Sequence, residues 1–141
     1  MILVLAVVGV GVASFAFALH PFGLSTTSCS GNSSQGPNVQ HFTVTMSTNG
    51  YNNSKILGLP RPVMNVSLGR IVSIHIQNDD PNEAHGFTII HYFEHGIALK
   101  PGGCYDLTFL ANQAGNFTVF CQIFCTVHFP WMQEGELNVN P

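Results

Sequence analysis

Apolar and polar residues alternate along most of the chain after residue 38. Phe42, Val44 and Met46 interleave with His41, Thr43 and Thr45, the period of two expected of a strand with one buried face. Residues 63–68, 71–77 and 85–90 behave in the same way, with Gly69-Arg70 and Asn78-Asp79-Asp80-Pro81 as turns. Further strands are predicted over 104–110, 116–121 and 136–139, separated by Pro101-Gly102-Gly103 and Asn112-Gln113-Ala114-Gly115. No stretch after residue 20 carries a helical stripe. Short strands punctuated this closely predict an all-β fold, an antiparallel β-sandwich of about 100 residues.

The N-terminal pattern is different. Residues 2–19 contain no charged side chain, and only Gly9, Gly11 and Ser14 interrupt the aliphatic and aromatic run. A helix of about 20 residues covers a hydrocarbon core of about 30 Å, so the run is barely long enough to span. Residues 1–20 are read as a transmembrane anchor, with a cleaved signal segment as the alternative because Ala16-Phe17-Ala18 satisfies the small-x-small rule. Either carries the remainder across the membrane. The expectation is a single-pass protein of the cell membrane with its folded domain on the extracytoplasmic face. Residues 21–38, rich in Ser, Gly and Pro without periodicity, read as a linker to a domain at 39–141. Triplets beginning at Asn32, Asn52, Asn65 and Asn116 fit the N-glycosylation pattern, each a weak signal in a chain rich in Asn and Ser.

Composition narrows the partners. Charged residues make up 8% of the 141, against about 25% in ordinary soluble proteins. With a formal net charge of −3 and four Lys or Arg, the chain has no basic surface to neutralise phosphates, which excludes nucleic acid. An apolar fraction of 45% with eleven Phe supports a packed core rather than disorder.

The chemistry concentrates between Phe120 and Met132. Cys121, Cys125, His128 and Met132 fall within twelve residues, between two predicted strands, where a loop can gather its side chains at one point. Soft sulfur donors favour copper, zinc or iron–sulfur centres, and adding imidazole and thioether moves the choice toward copper. A disulfide or redox pair is the alternative for the two Cys alone. A second imidazole has to come from elsewhere, and His85 is the candidate because it starts a strand directly after a turn. His41 and His75 sit in alternating strands and read as surface or hydrogen-bonded residues. His91 and His95 flank an aromatic loop, and His20 lies at the membrane boundary.

From about residue 73 to 140 the sequence resembles the CuA-type cupredoxin domain of subunit II of haem-copper oxidases and of nitrous-oxide reductase. The resemblance is carried by Ala84-His85-Gly86-Phe87, by Gly115-Asn116-Phe117 leading into a strand, and by Cys121-x-x-x-Cys125 with Met132 eleven residues after the first Cys. A hydrophobic N-terminus followed by one such domain is similar to the single-span subunit II of B-type oxidases. The resemblance implies a Greek-key cupredoxin sandwich and two copper ions bridged by Cys121 and Cys125. His85 and Met132 would complete one ion, and His128 with the Ile123 carbonyl the other. It also implies a role in electron transfer without a reaction site of its own. Electrons would arrive from an external donor, a cytochrome c or small copper protein, and pass to the haem subunit of a terminal oxidase. Phe129, Pro130 and Trp131 beside His128 are candidates for the docking patch where electrons enter.

One departure leaves the copper count open. The usual CuA loop has three residues between the second Cys and the His and two between His and Met. Here there are two and three, respectively. The run Cys125-x-x-His128-x-x-x-Met132 also resembles mononuclear blue-copper loops, in which Cys125, His128, Met132 and His85 would hold one ion. A non-redox copper chaperone is a third class. Cys29 and Cys104 belong to neither loop. They are either two buried thiols or a disulfide that closes a long loop and stabilises by about 4.5 kcal/mol through lost chain entropy.

Overall fold

The computed structural model describes residues 29, 36–57, 61–124 and 129–141. The anchor expected over 1–20 and most of the linker lie outside the described residues, within which no helix is long and apolar enough to cross a membrane.

Among the described residues nine strands form two sheets: β1 (Val39–Ser47), β2 (Gly50–Tyr51), β3 (Val63–Ser67), β4 (Ile71–Asn78), β5 (His85–Ile89), β6 (Phe93–Leu99), β7 (Cys104–Leu110), β8 (Gly115–Phe120) and β9 (Gly135–Asn140). A four-residue helix, α1 (Ser54–Leu57), follows β2, and a 3-10 turn (Phe129–Met132) precedes β9. One sheet runs β2-β1-β4-β7 and the other β3-β9-β8-β5-β6. Alternating residues from both inner faces make one core, with Val44, Met46, Ile74 and Ile76 from the first sheet meeting Phe87, Ile89, Val119 and Leu137 from the second. Each such side chain stabilises the fold by about 1.5–3 kcal/mol relative to leaving it in water.

Two expectations need correction. The sandwich is not antiparallel throughout, because β1 pairs with β4 and β3 with β9 in parallel. A parallel pair requires a crossover connection, and here the chain leaves β1, contributes β3 to the opposite sheet and returns as β4. Residues 91–95 are likewise not simply a loop, since Phe93–Leu99 forms the edge strand β6. Its pairing with β5 shifts register between Phe87 and Ile89, and Gly96 adopts φ +60° within the irregular stretch. A bulge with a left-handed glycine breaks the period of two that identifies a strand in sequence.

The inner strand β5 is buried along its whole length. Its second face is covered partly by Gln122, whose amide bonds the Thr88 hydroxyl at 2.7 Å and donates to the Ile97 carbonyl at 3.0 Å. His85 therefore opens a strand shielded on both sides.

Candidate metal centre

Strands β9, β8 and β5 are successive antiparallel neighbours, with Thr88 opposite Phe120 and Val119 opposite Gly135. The start of β5, the end of β8 and the start of β9 therefore fall at one end of the sheet. His85 opens β5, Cys121 directly follows β8, and Met132 closes the 3-10 turn that leads into β9. The ends of the intervening loop are tied together: Cys121 N–H donates to the Met132 carbonyl at 2.8 Å, and Gln133 Nε2 donates to the Cys121 carbonyl at 3.0 Å.

Two residues at this corner are wholly inaccessible, with His85 and Met132 both at 0% exposure, and Cys121 is a buried thiol. The Gly86 N–H donates to Cys121 Sγ at 3.1 Å, while the Cys121 thiol is 3.2 Å from the Ile123 carbonyl. Gly86 is itself pinned, because the buried Tyr51 hydroxyl donates to its carbonyl at 2.6 Å. A side chain there would collide with Gln122, whose Cδ lies 2.8 Å from the position a Cβ would take. Glycine allows the backbone to approach the sulfur this closely.

The His85 ring has two side-chain partners. Its Nε2 lies 2.8 Å from Asp80 Oδ2, and the ring also hydrogen-bonds the Cys121 sulfur. Asp80 is fully buried and accepts the backbone N–H groups of Asn82 and Glu83 on Oδ1, at 2.9 and 3.0 Å. Behind it, Asn78 accepts the Asp80 N–H and donates to the Glu83 and Leu99 carbonyls. Burial pushes the Asp80 carboxyl up, but the Asn82 N–H, the His85 side chain and the Glu83 N–H outweigh it and hold the group below its ordinary value. Burial likewise pushes His85 down, and its hydrogen bonds to Cys121 and Asp80 bring it above the ordinary histidine value. A carboxylate on one imidazole nitrogen fixes the tautomer and leaves the other nitrogen to ligate, the usual support of a metal-binding histidine.

Cys125 and His128 lie outside the described residues. Pro130 is exposed and Trp131 half-buried, its carbonyl accepting the Ser54 hydroxyl of α1 at 3.2 Å. Phe124, absent from the expected docking patch, is the most exposed large apolar side chain described, at 76%. Cys29 and Cys104 form a disulfide at the edge of the other sheet, where His75 Nδ1 meets Asp106 Oδ1 at 2.7 Å. His41 is exposed on β1, His95 is exposed on β6, and His91 stacks on Phe117. Sequence reasoning read Asn78-Asp79-Asp80-Pro81 only as a turn and so missed Asp80 and Asn78. The available signal was a carboxylate five residues before the candidate histidine, in a turn where it can bond its own backbone.

No protein-family model matches the chain, and no curated protein matches it. Solved structures do. A multicopper oxidase aligns with 77% of this chain and 46% of its own, at 16% identity and a TM-score of 0.61. An auracyanin from the photosynthetic bacterium Roseiflexus castenholzii aligns over 72% of this chain and 97% of its own, at 16% identity and TM-score 0.54. A chain from a haem-copper terminal oxidase dimer aligns over 70% and 63%, at 20% identity and TM-score 0.53. The fold is the cupredoxin sandwich. The likeness is one of architecture, and the chain spans less than half of the multicopper oxidase, so function has to come from the site itself. At this end of the cupredoxin sandwich, thiol, imidazole and thioether side chains, with a backbone carbonyl, lie in a buried corner. That donor chemistry fits a soft transition metal such as copper.

Proposed function

We propose that this domain binds copper at the His85–Cys121 corner and transfers electrons, serving as the electron-entry domain of a membrane-bound terminal oxidase. The observation that carries the reading is the His85 ring, inaccessible to solvent and hydrogen-bonded to both the Asp80 carboxylate and the Cys121 sulfur. Structural pairing of histidine with a buried acid explains one hydrogen bond. It does not explain why the same ring also meets a buried thiol backed by a backbone N–H.

In the full reading Cys121, Cys125, His85, Met132, His128 and the Ile123 carbonyl would together hold two copper ions. Bound copper would supply a reversible one-electron couple. Asp80 and Asn78 hold His85 in one orientation, the Gly86 N–H stabilises negative charge on the Cys121 sulfur, and Gln122 and Tyr51 fix the backbone beside it. A centre with all positions filled by protein has no place for substrate, which fits electron transfer rather than catalysis. The likeness to a chain of a haem-copper terminal oxidase dimer supports an oxidase partner. Exposed Phe124 and Pro130, with Phe129 and Trp131, would meet the external donor, a cytochrome c or small copper protein.

Mononuclear copper is the second reading. The Cys-x-x-His-x-x-x-Met spacing favours it. Copper content with electron paramagnetic resonance separates the readings. Two ions per chain with a seven-line hyperfine pattern support the binuclear centre, and one ion with a four-line pattern supports the mononuclear one. Failure to retain copper overturns both.

A further inference from the structure

A second group of donors meets on the other sheet, far in sequence from the copper loop. His75 of β4 lies directly opposite Asp106 of β7 in the strand register. The Cys29 sulfur, a nitrogen of His75 and a carboxylate oxygen of Asp106 all lie within 4.8 Å of one another. Among the described residues this is the only such convergence of three His, Cys, Asp or Glu groups. Cys104, joined to Cys29 by the disulfide, stands two residues before Asp106, so both side chains leave the same face of β7. The Cys104 sulfur is bonded to that of Cys29 and so lies next to this group without being one of its three members. The side chains of His75 and Asp106 are 34% and 28% exposed, so an ion can reach them without opening the core.

We infer that this corner is a second metal site, closed by the Cys29–Cys104 disulfide and opened by its reduction, which takes a zinc-like divalent cation. Metal ligation requires thiolate, and a sulfur held in a disulfide carries no such charge. The opening step needs an external dithiol. It gives up two electrons and two protons and becomes a disulfide, while the Cys29–Cys104 bond breaks to two thiols. Cation binding then releases the two thiol protons to solvent. The Cys29 thiolate, one imidazole and one carboxylate make three donors of the kinds that bind zinc, with the Cys104 thiolate released beside them. None of the four residues belongs to the His85 corner, so the inference stands apart from the copper reading.

The test uses the full chain carrying Cys121→Ser and Cys125→Ser, in which only Cys29 and Cys104 can supply thiolate. Cobalt(II) is titrated as a spectroscopic substitute for zinc, before reduction and again after reduction with a dithiol and anaerobic desalting. The expected result is a sulfur-to-cobalt charge-transfer band in the reduced chain alone, saturating at one ion per chain. Adding His75→Ala or Asp106→Ala is expected to weaken cobalt binding at least tenfold. Absence of the band in a reduced chain with two titratable thiols overturns the inference, as does unchanged affinity in both added variants. A second measurement does not depend on how the serine variant folds. The unsubstituted chain is reduced and alkylated with and without zinc, and labelling is mapped by peptide. Shielding of Cys29 and Cys104 by zinc supports the site, and equal labelling of both with and without zinc overturns it.

Discussion

Two corners of this sandwich hold sulfur, and they treat it in opposite ways. At the β5–β8 end, Cys121 is buried, receives the Gly86 N–H and meets the ring of a fully buried histidine. At the β4–β7 edge, Cys29 and Cys104 are bonded to each other beside a partly exposed His75–Asp106 pair. Both corners place a carboxylate against an imidazole, at 2.8 and 2.7 Å, so that pair alone does not distinguish them. Burial does. The inaccessible pair forms part of a network in which Asp80 is fixed by two backbone N–H groups and Asn78, while the exposed pair is screened by water.

Substitutions at the two corners should therefore diverge. Cys121→Ser is expected to abolish copper retention and colour, whereas Cys29→Ser with Cys104→Ser leaves copper per chain unchanged, as measured by elemental analysis after desalting. The double serine variant is instead expected to lose about 2–5 kcal/mol of stability, read from denaturant unfolding. Asp80→Asn removes the charge behind His85 and is expected to weaken copper binding about 10–100-fold in competition with a chelator, since supporting partners of metal ligands contribute that much. His75→Ala at the exposed pair should change the stability of the disulfide-bonded protein by about 1 kcal/mol or less. A comparable loss of copper in Asp80→Asn and His75→Ala would erase the distinction between the corners.

The pH response of the metal-free domain provides a finer comparison. Asp80 is lowered, so its contribution is complete above its ordinary value of 3.8 and is lost as pH falls through the lowered value. His85 is raised, so its contribution is complete below its ordinary value of 6.5 and is lost as pH rises through the raised value. The metal-free domain is expected to be most stable between those two ordinary values. Its urea midpoint should be lower at about pH 9 than at about pH 5. His85→Gln should flatten that alkaline decline, and an unchanged slope would show that the decline originates elsewhere.

Strand identity was legible where one face packs and the other meets water. Val44 and Met46, Met64 and Val66, and Phe117 and Val119 all alternate, and all are buried in the core. Direction was not legible, because alternation is the same for parallel and antiparallel neighbours, and the β1–β4 and β3–β9 pairings come from a crossover between sheets. Strand β6 was hidden by the bulge around Gly96. At the site, donor types point to chemistry directly, so His85, Cys121 and Met132 stood out at once. Asp80 did not, since an acid in an Asn-Asp-Asp-Pro stretch looks like any exposed turn. Only the fold shows that it is buried against a histidine.

Electron paramagnetic resonance of the copper-loaded chain, with copper and protein counted on the same sample, tests the central claim most directly. The account predicts two ions per chain and one unpaired electron split into seven lines by two equivalent nuclei. A chain that retains no copper, or copper lacking sulfur ligation while Cys121 remains open to alkylation, would contradict it.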